Sequence, residues 1–105
     1  IMKKIISVLL LSVLFSASAS AYKVYWHGSH SCGVWVDEEK RDSMMFLAMQ
    51  TWVSGFVTGI NSTGISELKD TDIEAMTLFV SNYCNANPLD NVANAAEALT
   101  QELKE

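Results

Sequence analysis

The stretch Ser43-Met44-Met45-Phe46-Leu47-Ala48-Met49-Gln50-Thr51-Trp52-Val53-Ser54-Gly55-Phe56-Val57-Thr58-Gly59-Ile60 decides the fold class. Met45, Phe46, Met49, Trp52, Val53, Phe56, Val57 and Ile60 recur at three- and four-residue spacing, which draws one broad apolar face on a helix. Ser43 has the side chain to cap its start, and Asn61 with Gly64 marks its exit. No charged residue falls between Asp42 and Glu67. The outer side carries Leu47, Thr51, Ser54 and Thr58 instead of charge, so the reading is a central helix covered on more than one side. Ala48, Gly55 and Gly59 line one flank and suit close approach of another backbone. Gln50 and the hydroxyl residues dilute the run too much for a membrane span.

Two more helices follow toward the C-terminus. Thr71 and Glu74 have the spacing of a capping box. Beyond them Ile73, Met76, Phe79, Val80, Tyr83 and Cys84 share one face, with Leu78 opposite. Asn87-Pro88 reads as cap and first residue of a third helix. Its apolar stripe is Leu89, Val92, Ala96, Leu99 and Leu103. Toward the N-terminus, residues 22–36 read as an irregular aromatic segment, and residues 37–42 as a solvated charge run that is a loop or an early helical turn. The expected architecture is all-α: a small three- to four-helix domain with an irregular N-terminal segment.

Residues 1–21 carry a different pattern. Lys3-Lys4 is followed by an apolar run from Ile5 to Phe15 and then by Ser16-Ala17-Ser18-Ala19-Ser20-Ala21. Charge, apolar run and small residues are the layout of a secretory signal peptide, too short to span a bilayer. Cleavage after Ala21 is expected, with Ala19 as the alternative site, and the first cut leaves residues 22–105 as one periplasmic domain. Loss of the two lysines takes the formal charge from −5 to −7. Export places Cys32 and Cys84, the two cysteines of the chain, in an oxidising compartment that favours their pairing. A bridge would pin the N-terminal segment to the corner between the last two helices, with Trp26 or Trp35 near the sulfurs.

The acidic balance excludes nucleic acid as a partner class, because no basic excess is present to neutralise phosphates. Catalytic patterns are missing as well. The chain has no Gly-rich phosphate loop, His-Glu-x-x-His motif or nucleophile elbow. Glu38-Glu39 belongs to a charge run, and Ser29 and Ser31 lack an orienting acid. His27, His30 and Cys32 have zinc- or copper-ligand chemistry. A structural zinc site needs four ligands, however, and a disulfide removes Cys32. The reading therefore assigns no metal, no cofactor and no catalytic residue. Met44, Met45 and Met49 read as core filler. Candidate protein-interaction residues are Trp26, His27, His30, Trp35, Leu47, Thr51 and Leu78.

Ser31-Cys32-Gly33-Val34-Trp35, the segment from Trp52 to Asn61, Asn82-Tyr83-Cys84 and Asn87-Pro88-Leu89 together resemble small exported bacterial helical proteins. The Gly-Phe-x-x-Gly helix and the Tyr-Cys…Asn-Pro-Leu corner are similar in style to Rap/Tai-type immunity proteins. Those protect users of type VI secretion from peptidoglycan-cleaving toxins in the periplasm. HdeA/HdeB-type acid-stress chaperones are the second resemblance. The first implies a non-enzymatic module that occludes a toxin or hydrolase. The second implies a module that loosens in acid to hold unfolded clients, as the charge of residues 22–105 swings from −7 to about +8. An accessory subunit of an envelope assembly is a third expectation, and a homodimer is among the expected assemblies.

Overall fold

The computed structural model describes residues 23–104. The expected signal peptide and its cleavage site lie outside the described residues. Among the described residues there are four helices: α1 (Cys32–Arg41), α2 (Met44–Ser62), α3 (Ile73–Ala86) and α4 (Val92–Leu103). A single 3-10 turn, Trp26–Ser29, precedes them. No named strand occurs among the described residues, and the one sheet-like contact is an isolated bridge between Ser31 and Asn91. The all-α expectation holds, and so does the pairing of Cys32 with Cys84.

Each helix starts on a side-chain oxygen that satisfies an otherwise unpaired backbone N–H. Ser31, Ser43, Asp72 and Asn91 accept from the N–H of Val34, Phe46, Ala75 and Asn94. Three sequence expectations change here. First, residues 32–36 of the expected irregular segment and 37–41 of the charge run together form α1, so the run takes the helical of its two readings and the irregular segment ends at Ser31. Asp42 ends it in the left-handed conformation (φ 48°) and donates its N–H to the carbonyls of Glu38 and Glu39. Second, Asp72, not Thr71, caps α3. Third, α4 begins at Val92 and not at Asn87-Pro88. Residues 87–90 form a turn closed by the Asp90 N–H on the Asn87 carbonyl, at 3.0 Å. This turn throws Leu89 outward to 99% exposure, so Leu89 leaves the apolar stripe in which its spacing had placed it.

The packing also relocates the centre. α4 contacts α2, α3 and the 3-10 turn, while α1 packs on α2 and α3. Val92, Ala93, Ala95, Ala96, Leu99, Thr100 and Leu103 are all buried along α4. Three alanines let neighbouring helices approach this short helix from several sides. α2 buries only Phe46, Met49, Val53 and Val57. Among the described residues nothing covers its outer side, contrary to the expectation of a doubly covered helix. Leu47, Thr51 and Thr58 are exposed, and nothing lies within 4 Å of a Cβ built at Gly55 or Gly59. Met44 is exposed as well and not core filler, while Met49 is fully buried. No helix among the described residues is long and apolar enough to cross a membrane.

The corner between α3 and α4 is tied to the N-terminal segment. The Cys32 N–H donates to the Asp90 carbonyl at 2.7 Å, and the Val92 N–H donates to the His30 carbonyl at 3.0 Å. Beside them the Tyr83 hydroxyl donates to the Asp90 carboxylate, which also accepts from the Asn94 amide at 2.6 Å. The Tyr83 bond, then the Asn94 bond, hold Asp90 below its ordinary pKa of 3.8. The same bond, followed by burial, raises Tyr83 above its ordinary 10.0. Asp90 therefore adds stability above about pH 4, and loses it as pH falls through its lowered folded value. Tyr83 adds stability below about pH 10, and loses it as pH rises through its raised value. Both groups are only half-buried, so solvent screening keeps the contribution modest. The Tm of wild type is expected to drop between about pH 4 and pH 2 by more than that of Asp90→Asn. Equal drops in a pair of pH-resolved melts would assign the acid sensitivity elsewhere.

Candidate functional site: a groove between the 3-10 turn and α2

The bare side of α2 becomes concave where the 3-10 turn leans on it. Gly28 makes this contact possible. It is buried, and a Cβ there would stand 2.2 Å from Cζ2 of Trp52. Only glycine admits the indole so close. Trp52 in turn stacks on Phe56, with ring centroids 5.4 Å apart and planes 21° from parallel. The turn is therefore seated on a rigid aromatic pair belonging to α2.

Trp26 opens the turn in a left-handed backbone conformation, φ 62°, which residues other than glycine seldom adopt. The Ser29 hydroxyl donates to its carbonyl at 2.8 Å and closes the turn behind it. Held this way, the Trp26 side chain stands 77% exposed. Its ring meets His27 edge-on, with centroids 5.1 Å apart. Between the turn and α2 lies a cavity of about 470 Å³. Trp26 and His27 form one wall; Met44, Leu47, Ala48 and Thr51 form the other, with Trp52 also lining the cavity. None of these residues is Asp, Glu, Lys or Arg, and Met44 at its mouth is 81% exposed.

Four of the seven residues singled out from sequence therefore meet at one site: Trp26, His27, Leu47 and Thr51. His30 sits just behind His27, partly buried, with its Nε2 3.4 Å from His27 Nδ1. Leu78 is 62% exposed on α3 and does not line the cavity. Trp35 is a correction, since it is wholly buried and offers no surface to a partner. Met44, Ala48 and Trp52 belong to the site and were missed as such. Their helical spacing showed their faces, but no pattern in the chain revealed that the turn would dock beside them. Gly28 was the available signal, as a residue without a side chain beside three aromatics.

The fold and the groove together define a class: a small disulfide-tied helical domain with an aromatic-rimmed groove. No protein-family model, curated protein or solved structure matches the chain.

Proposed function

We propose that this chain is a non-enzymatic protein-binding module of the periplasm, exported by its N-terminal segment. In this reading it acts as an immunity-type inhibitor that occludes a secreted toxin or hydrolase. The observation that carries the reading is Trp26. A large aromatic side chain, 77% exposed beside an uncharged groove, has the chemistry of an interface hot spot. Its backbone is fixed by the turn, so little ordering remains to oppose association. The acidic balance of the chain supports a partner with a basic rim, because complementary charge speeds encounter and sets orientation. The four helix caps and the disulfide supply the rigidity that occlusion of an active site requires.

The test joins capture to substitution. A stoichiometric partner is expected from envelope extract at pH 7. Trp26→Ala is expected to weaken that complex by about 30-fold, the equivalent of a 2 kcal/mol hot spot. Leu47→Glu places a charge inside the groove and is expected to abolish binding while leaving the helical circular-dichroism signal intact. Wild-type affinity in both variants would remove the groove from the function. Protection of unfolded clients confined to pH 2, with no complex at pH 7, would favour an acid-stress chaperone instead.

A further inference from the structure

We propose that His27 and His30 are half of a zinc site, completed by the same pair of a second copy of the chain. Nδ1 of His27 and Nε2 of His30 lie 3.4 Å apart in an imidazole N–H···N hydrogen bond, whose proton a metal ion would displace, and their rings lie 27° from parallel. Zinc–imidazole bonds are about 2.05 Å long. Two nitrogens 3.4 Å apart then subtend about 110° at a shared ion, the tetrahedral angle. A square-planar ion places neighbouring nitrogens about 2.9 Å apart, so this spacing matches the tetrahedral preference of Zn²⁺ more closely than the square-planar one of Cu²⁺ or Ni²⁺.

The pair does not depend on a chance rotamer of a loose loop. Between the two histidines lies Gly28, buried against Trp52. The His30 carbonyl is held by the Val92 N–H at 3.0 Å, and the disulfide begins two residues later. That disulfide takes Cys32 out of the ligand set, which leaves two imidazoles where a closed zinc site takes four donors. Among the described residues no group of three His, Cys, Asp or Glu is placed to hold an ion. A two-fold related copy supplies the missing half, because an isologous interface presents the same residues from both sides.

Charge selects the face on which copies can meet. Each chain carries a formal −5, and removal of the two N-terminal lysines makes it −7. Residues 43–66 carry none of that charge, and Met44, Leu47, Ala48 and Thr51 among them form the wall facing His27. Two acidic chains repel least when this face is between them. The ion adds two positive charges at the point of contact, and the exposed Trp26 and Met44 add apolar area around it, so the zinc-joined pair and the partner complex proposed above use the same face and exclude one another.

Sedimentation of the purified chain with ZnCl₂ tests the proposal. The expected result is the mass of two chains with half an equivalent of zinc per chain. EDTA is expected to reverse it, and MgCl₂ to leave single chains. His27→Asn and His30→Asn are each expected to lower zinc affinity at least 100-fold and to leave single chains, with circular dichroism in EDTA as the folding control. Co²⁺ in place of Zn²⁺ is expected to show the intense visible bands of a tetrahedral site. Three results would overturn the proposal: no zinc retained at micromolar concentration, zinc bound by a single chain, or a zinc-dependent dimer of the double histidine variant.

Discussion

Removing the Cys32–Cys84 bond is expected to cost the folded chain about 4 kcal/mol, the chain-entropy value for a closed loop of this length. The two cysteines are separated by 52 residues, and the loop between them contains all of α2 and most of α3. Domains are stable by only about 5–15 kcal/mol, so this single bond supplies a large share of the total. Urea unfolding of Cys32→Ser/Cys84→Ser against wild type at pH 7 measures it. Because the cross-link acts mainly by restricting the unfolded chain, the variant is also expected to show a larger m-value, reflecting a more expanded denatured state. A loss under about 1 kcal/mol would show that the helices hold without the tie. The groove is expected to fail first. The two backbone bonds that seat the turn, Cys32 to Asp90 and Val92 to His30, flank the disulfide. Amide exchange at Cys32 and Val92 is expected to rise in the variant before exchange in the middle of α2 does.

What the sequence disclosed, and what it hid, follow from one distinction. Patterns with a fixed period were legible: α2 was placed within two residues of its observed end, because Phe46, Met49, Val53 and Val57 recur on one face. The cysteine pairing followed from compartment chemistry. Competing local signals were not legible. Asn87-Pro88 and Asn91 are both good helix starts, and the choice between them was made by a non-local contact, the bridge from Ser31 to Asn91. Thr71 and Asp72 posed the same ambiguity one residue apart, and the carboxylate holds the cap at 2.8 Å. α1 was hidden because its mixed charges mask a short amphipathic pattern whose only wholly buried side chains are Cys32 and Trp35. The groove was half legible. The outer face of α2 was placed correctly, yet its openness depends on where α4 packs, and no local pattern records that.

Trp35→Ala is expected to cost about 3–5 kcal/mol, the range for emptying a buried aromatic site. Trp35 is wholly buried at the junction of three helices. From α1 its ring meets the edge of Phe46 on α2, with centroids 5.0 Å apart and planes at 72°. Its indole N–H donates to the Ser81 hydroxyl on α3 at 3.0 Å, and Ser81 donates onward to Glu39, back on α1, at 2.7 Å. One residue thus joins all three elements through packing and through a hydrogen-bonded chain. Trp35→Phe separates the two contributions: it keeps most of the ring volume and loses the N–H, so its cost is expected to be nearer 1–2 kcal/mol, about one buried hydrogen bond plus a small void. Chemical denaturation of the three proteins at pH 7 reads this order directly. Partner affinity reads the other half of the argument. A residue with no exposed surface cannot contact a partner, so Trp35→Ala is expected to leave Kd unchanged wherever the variant remains folded. Trp26→Ala is expected to do the reverse, weakening the complex while barely moving the unfolding midpoint. A Trp35 variant that bound poorly without losing stability would place the interaction surface on α1 and not on the turn.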